Sequence, residues 1–506
     1  MPTLEWLNDD EARAAAARVK YRLLQADPAL AYGDPASENM LIHGDNLDAL
    51  KALKPYFGGR VKCVAMDPPY NTHSAFEHYD DNVEHSTWLS LMYPRLEIIR
   101  DLLDDQTGSV WVHIDDSEAQ YLKIIMDEIF GRDRFVATIV WQKRYSRENR
   151  EAIGDVHEYI FVYAMNRERF KLGRNCLPLT ENQKKIYKNP NNDPRGAWRT
   201  IPITAQAGHG TASQFYEITS PSGKVFRPPD GNCWRYTKQV LERMIQEGKV
   251  YFGKAGNNQP TTKRFLSEVP GVVPWTWWPH EEAGHTDESK KESLVLFGET
   301  PFDTAKPERL IHRILTIATN PGDLVLDPFL GSGTTAAVAH KMGRRWIGIE
   351  MGEHAVTHCA PRLKKVVDGE QGGISSSVNW KGGGGFQFYK LGPTIFDEND
   401  MISEGIRFAH LAAHVWFTET HTPLLTAAKS PLLGVHNGTA VYLLFNGILG
   451  DQRLTGGNVL TAAVLRKLPP HDGPKLIYAE MTNLPAAELR RHKIELKQTP
   501  CEIRGN

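Results

Sequence analysis

Val61-Lys62-Cys63-Val64-Ala65-Met66-Asp67-Pro68-Pro69-Tyr70 is an apolar, β-favouring run that ends abruptly in a carboxylate, two prolines and a tyrosine. Strand pairing must stop at this point, because proline has no N–H and fixes φ. The Asp67 carboxylate, the freed carbonyls and the Tyr70 ring are therefore presented together at a strand's C-terminal edge, the side of open α/β sheets where ligands bind. A carboxylate and a bare carbonyl can accept two N–H bonds while a tyrosine offers a flat face. Asp67, Pro68, Pro69 and Tyr70 thus suit a planar ring that carries an amino group.

A second motif lies far downstream. Asp327-Pro328-Phe329-Leu330-Gly331-Ser332-Gly333-Thr334-Thr335 follows the apolar Leu324-Val325-Leu326 and precedes the helix-like Ala336-Ala337-Val338-Ala339-His340. Strand, glycine turn and helix stand in the order of a nucleotide-type cofactor site, with small residues where the backbone must approach the ligand. Arg345-Trp346-Ile347-Gly348-Ile349-Glu350 then reads as a second strand ending in an acid, 19 residues beyond Gly331. That is the spacing at which an acid grips ribose hydroxyls. The turn lacks the lysine of a phosphate-binding GxxxxGK[ST] loop, so a cofactor with a ribose but no pyrophosphate fits, and S-adenosylmethionine is such a molecule.

With these two motifs in this order the chain resembles the β-group amino-methyltransferases of DNA, most of all the modification subunits of Type III restriction systems and their stand-alone relatives. Other segments carry the resemblance through most of the first 390 residues: His43-Gly44-Asp45-Asn46-Leu47, Trp88 to Leu96, Gly108 to Asp116, Glu158 to Tyr163, and Thr304-Ala305-Lys306-Pro307-Glu308-Arg309-Leu310-Ile311. The resemblance implies a Rossmann-like α/β methyltransferase sheet, mainly parallel and circularly permuted in motif order. It implies S-adenosylmethionine held by Asp45, Asp327, Phe329, Gly331, Gly333, Thr334 and Glu350, with Thr304 and Lys306 at the methionine end. The implied reaction is methyl transfer to N6 of an adenine flipped out of duplex DNA. The runners-up are N4 of cytosine in the same architecture, or a non-catalytic DNA-binding subunit. Asp at the first position of the catalytic loop usually accompanies adenine in such enzymes. ATP-driven cleavage would have to come from a separate ATPase and nuclease restriction subunit.

The net charge of −2 looks wrong for a DNA partner until it is divided along the chain. Residues 141–265 carry 22 Lys and Arg against 11 Asp and Glu, a local +11, which leaves −13 for the remainder. Such asymmetry places expected phosphate contacts in the middle of the chain. The candidates are Lys143, Arg144, Lys184, Lys185, Lys188, Arg199, Arg235, Lys263 and Arg264, interleaved with Trp198, Trp234, Tyr236 and Phe265. Loop-rich punctuation such as Asn189-Pro190-Asn191-Asn192-Asp193-Pro194 marks an inserted module, and the resemblance makes it the target-recognition region.

The expected division is 1–38 as N-terminal helix and linker, 39–164 as the catalytic half of the core, 165–300 as the inserted region and 301–369 as the cofactor half. A Gly/Ser-rich seam at 370–390 and a small α/β appendage at 391–506 follow. The appendage carries no assignable chemistry; partner docking, homodimer contacts and extra DNA contacts all stay open for it. Strands are expected at 61–66, 109–114, 136–141 and 159–163, alternating with helices at Trp88–Leu103 and Glu118–Phe130, and completed by 324–326 and 345–349.

No apolar run reaches the length of a membrane span, and Met1-Pro2-Thr3-Leu4-Glu5-Trp6 lacks a signal peptide's basic and apolar regions, so a cytoplasmic place is expected. Five scattered cysteines read as reduced thiols, and no metal is implied. His280-Glu281-Glu282-Ala283-Gly284-His285 has its histidines five apart rather than four and reads as a loop, not a zinc site. Trp275-Thr276-Trp277-Trp278 reads as a loop pinned onto the core. His113 reads as a strand-end histidine beside solvated acids.

Overall fold

A computed structural model describes residues 3–71, 84–146, 152–298, 302, 304–397, 401–403, 405–422, 424, 428–445 and 457–499. The chain divides into two compact units, one made of Met1–Asn175 with Trp275–Asn506 and the other of Cys176–Pro274.

The first unit is built on an eleven-stranded sheet. Its strands here are β1 (Arg22–Ala26), β2 (Met40–His43), β3 (Cys63–Met66), β4 (Ser109–Ile114), β5 (Phe135–Gln142), β6 (His157–Ala164), β7 (Trp277–Trp278), β8 (Leu324–Asp327), β9 (Arg345–Glu350) and β10 (Gly385–Thr394). They lie in the order β1-β10-β2-β9-β8-β3-β4-β6-β5-β7, with the short Tyr32–Gly33 strand paired to β10. From β10 to β4 every neighbouring pair is parallel. These central strands are short continuous apolar runs because helices cover both faces. Val64, Met66, Val110, Val112 and Ile114 pack on one face against Trp88, Met92 and Leu96 of helix His85–Leu102 and Leu122, Ile125 and Met126 of helix Ala119–Phe130. The α/β sheet expected from the sequence is thus present, and the two motif-bearing strands β3 and β8 are direct neighbours.

Five expectations need correction. The run at 159–163 is not the strand of a further βα unit: β6 runs antiparallel to both β4 and β5. The seam at 370–390 ends early, because Phe386 and Phe388 alternate into the core and β10 pairs with Met40–His43 as the second strand from the β1 edge of the sheet. The linker placed within 1–38 contains β1, which closes that edge against β10. The histidine pair at 280–285 is not a loop, since His280–Ala283 form one helical turn and His285 caps the next helix, Thr286–Phe297, accepting from Glu288 N. The second compact unit is also narrower than 165–300. Trp277 and Trp278 return to the sheet as β7 beside Val140 and Trp141, with Trp278 fully buried.

Toward the C-terminus, strands Leu432–His436, Thr439–Leu443, Lys475–Ala479 and Ile494–Gln498 form a separate four-stranded sheet, antiparallel in the first pair and parallel thereafter. Helix Phe408–Thr420 packs on it through Leu411 and Val415 and reaches the core through Phe417, which lies over Lys54 of helix Asn46–Phe57. The second unit joins Trp198–Pro202, Thr261–Phe265 and Val250–Tyr251 in one small sheet, with a core of Ile203, Ile218, Trp234, Leu241 and Phe252. Among the described residues no helix is long and apolar enough to cross a membrane. Cys63, Cys176, Cys233 and Cys359 are free thiols, and Cys501 lies outside the described residues.

Candidate active site

Asp67 is the first residue past β3, and the loop it opens is held from outside. Trp88 Nε1 donates to the Pro69 carbonyl at 2.7 Å. Asn71 turns the chain in a left-handed conformation, φ 59°, and its amide donates to Glu118 Oε1 at 2.7 Å. The Tyr70 hydroxyl stands 2.6 Å from Asp67 Oδ1 and 3.1 Å from Glu158 Oε2, within donating distance of either. Burial and then these two carboxylates push its phenol far above the ordinary range, so it remains a donor.

The other oxygen of Asp67 accepts from Lys306 Nζ at 2.7 Å, and the same ammonium lies 3.6 Å from Glu158 Oε2 and 5.0 Å above the Tyr70 ring. Burial pulls the Lys306 amine down, but Asp67 and Glu158 together raise it above its ordinary value, so it stays charged. Lys143 completes the network, 3.6 Å from Glu158 Oε1 and 2.7 Å from Asp155. Lys306 was expected on the cofactor; the structure sets it between two carboxylates. The resemblance makes Glu158 part of the strand flanking the base pocket, with no role of its own. Its alternation with Ile160 and Val162 was the available signal that it faces the same side of the sheet as the end of β3.

The cofactor half starts where β8 ends. Gly331 and Gly333 adopt φ 57° and 83°, which residues with a Cβ adopt only under strain, and helix Thr334–Lys341 follows. Glu350 reaches back to this turn: it accepts from Gly331 N at 2.7 Å and Gly352 N at 3.0 Å, and His354 Nε2 lies 2.9 Å from it. Asp327 is buried and accepts from Phe329 N at 3.0 Å; burial pushes its carboxyl up to about 7. Behind the turn, Arg362 donates to Thr334 Oγ1 and Glu308, and Lys341 donates to both Glu308 oxygens. Nothing local in the sequence marks this buried ion cluster, because its members come from three helices. Asp45 caps helix Asn46–Phe57 by accepting from Leu47 N and pairs with Arg95, while Asn46 donates to the Pro328 carbonyl.

One cleft joins the halves. It encloses about 460 Å³ of empty space, part of it open to solvent, and Asp67, Thr304, Lys306, Asp327, Phe329, Gly331 and Thr334 all line it. Asp45, Gly333 and Glu350 are not among its lining residues; Glu350 touches it through Gly331 N. An acidic residue tied to a glycine turn, together with a carboxylate lining the same cleft, is an acceptor set that fits a cationic nucleoside such as S-adenosylmethionine.

The expected DNA contacts sort by exposure. Arg144, Lys184, Lys185, Lys188, Arg235 and Arg264 are exposed. Lys143 is committed to the ion network above, and Lys263 is withdrawn against Asp193 at 2.7 Å. Arg199 lies 5.7 Å over the Tyr187 ring.

A mainly parallel sheet that carries an Asp-Pro-Pro-Tyr loop and a glycine turn on adjacent strands, opening into one cleft, defines a class of nucleotide-cofactor transferases. Residues 61–360 match the DNA methylase family, and the chain belongs to it. It is 34% identical over 423 residues to the probable type III restriction-modification enzyme HindVI Mod subunit of Haemophilus influenzae, covering 71% of this chain and 55% of that one. It is 35% identical over 334 residues to the type III restriction-modification enzyme StyLTI Mod subunit of Salmonella typhimurium, covering 59% and 49%. To the type II methyltransferase M.EcaI of Enterobacter cloacae it is 32% identical over 320 residues, covering 62% and 66%. The chain spans about half the length of the two Mod relatives.

Proposed function

We propose that this protein transfers a methyl group from S-adenosylmethionine to N6 of an adenine extruded from duplex DNA, as the modification component of a restriction-modification system. The observation that carries the reading is the shared cleft, in which the Asp67 carboxylate and the Gly331 turn meet. When bound, S-adenosylmethionine supplies a methyl group on a positively charged sulfur. The chain's own part is to hold the acceptor. Asp67 and the Pro68 carbonyl accept the two amine hydrogens, which directs the nitrogen lone pair into the cleft. Tyr70 lies against the base, which must leave the stack to enter. As the N–C bond forms and the C–S bond breaks, positive charge grows on the amine beside Asp67 and Glu158, whose carboxylates stabilise it. The amine then sheds its extra proton to Asp67 or water.

In the structure Asp67 already accepts an N–H from an ammonium, that of Lys306, which supports its suitability for an amine. An incoming base would take that bond, leaving Lys306 to Glu158 at its present 3.6 Å. Asp at the first loop position supports adenine, and the relatives' being Mod subunits of type III restriction-modification enzymes supports a separate restriction partner. The exposed lysines and arginines of the second unit support DNA binding there. The test is to incubate purified protein with DNA and S-adenosylmethionine, digest to nucleosides and separate them by mass spectrometry. N6-methyl-2′-deoxyadenosine is expected, and Asp67→Ala should abolish it while binding the cofactor within a few-fold of wild type. N4-methylcytosine as the main product would overturn adenine; no methylated base at all would overturn the reaction.

A further inference from the structure

His113 is 1% exposed, and neither of its ring nitrogens has a hydrogen-bond partner among the described residues. A neutral imidazole has one donor and one acceptor, and leaving them dry is costly, so an unpaired histidine against a ligand cleft needs an explanation. His113 lines the cleft together with Met66, Asp67, Thr304 and Lys306. It sits on β4, between β3, which delivers Asp67, and β6, which carries Glu158. Directly opposed residues share a sheet face, and His113 opposes Ile160, two positions from Glu158. Its own neighbours Val112 and Ile114 point the other way, into the apolar cluster. Imidazole, Glu158 and the end of β3 therefore face one side. Burial and then the Lys306 charge hold the ring down to about 3, so it is neutral at any working pH.

We infer that His113 reads the ring edge of the extruded base, donating its N–H to the ring nitrogen beside the amine that Asp67 holds. This rests on the reaction proposed above and names its substrate class. Asp67 as acceptor beside His113 as donor complements the amidine edge shared by adenine (N6–H, N1) and cytosine (N4–H, N3). Thymine and guanine present a carbonyl and an N–H there, which leaves Asp67 facing an oxygen and the imidazole donor facing a hydrogen.

The test uses duplexes carrying the site mapped for the wild type, with the target adenine replaced by 1-deazaadenine or 7-deazaadenine. If the target is cytosine, 3-deazacytosine takes the place of 1-deazaadenine. His113→Phe keeps a flat ring without nitrogens, and His113→Gln restores an amide donor. Losing N1 should lower wild-type kcat/KM about tenfold, one hydrogen bond's worth. His113→Phe should lose about as much on adenine and nothing further on 1-deazaadenine, while 7-deazaadenine behaves as adenine and His113→Gln recovers part of the rate. Cofactor affinity measured by calorimetry should stay unchanged. Losses that multiply when both groups are removed would overturn the inference. So would a His113→Phe protein that weakens cofactor binding tenfold yet still discriminates against 1-deazaadenine. Should both variants fold poorly, equal wild-type rates on adenine and 1-deazaadenine would overturn it just the same. A wild type that methylates no DNA overturns the reaction and this inference together.

Discussion

Replacing Glu350 by glutamine separates cofactor binding from chemistry. The side chain is 2% exposed, and its two oxygens take the Gly331 and Gly352 amides at 2.7 and 3.0 Å while His354 stands 2.9 Å away. Burial alone would raise the carboxyl, but His354 and the two amides outweigh it and hold the group below its ordinary value, so it is ionised at neutral pH. Glutamine keeps the shape and one carbonyl acceptor; its NH₂ turns a donor toward one of the two backbone donors. A charge-assisted hydrogen bond to a ribose hydroxyl contributes about 1.5–3 kcal/mol, so the Kd for S-adenosylmethionine should rise about ten- to a hundredfold. Calorimetry measures it, and steady-state rates at raised cofactor concentration should return to within about threefold of wild type, because the interaction is made in the ground state. An unchanged Kd in a variant with a native circular dichroism spectrum would refute the assignment. A rate that stays low at saturating cofactor would refute it differently, by putting Glu350 in the chemical step.

Three further outcomes follow from the same geometry. Lys306→Met leaves Asp67 and Glu158 without their shared countercharge, so urea melts should show a loss of about 3 kcal/mol, with unchanged stability counting against the network. Asp327 has a folded-state value of about 7 against 3.8 unfolded; between those values the folded protein keeps a proton that the unfolded chain has released. Its contribution to stability is therefore fully present below about pH 4 and lost as pH rises through 7. Asp327→Asn should remove that fall between about pH 4 and 7, although Glu292, likewise pushed to about 7 by burial, keeps part of the slope; an unaltered pH dependence would contradict the assignment. Neutralising Lys184, Lys185 and Lys188 together should weaken binding to all DNA sequences and flatten the plot of log K against log salt by about 2–3, whereas exchange of residues 176–274 for a relative's should change the methylated sequence. A methylated sequence that survives the exchange would place recognition outside the second unit.

What the sequence disclosed about the site follows from how locally each feature is encoded. A strand that stops at Asp67, and a glycine turn between an apolar run and a helix, are written in consecutive residues, so both loops were legible, whereas the direct pairing of their strands is set by the fold. The spacing of Glu350 from Gly331 was legible for the same reason: it spans one helix and one strand. Lys306 was legible as a residue near the cofactor turn but not as a partner of Asp67, because that ion pair spans 239 positions and depends on how the segment before helix Glu308–Ala318 settles over β3. The edge strands failed in a consistent direction. Glycines at 372–373 and 382–385 suggest a seam, yet Phe386 and Phe388 bury completely once Met40–His43 is there to pair with. Composition cannot weigh a partner that lies more than three hundred residues away. His113 shows the same limit at the scale of a single side chain. A histidine at the end of an apolar strand reads as a strand-end residue beside solvated acids, and only the register of three strands sets its nitrogens, unpartnered among the described residues, on the face shared by the end of β3 and Glu158, where a base has something to offer them.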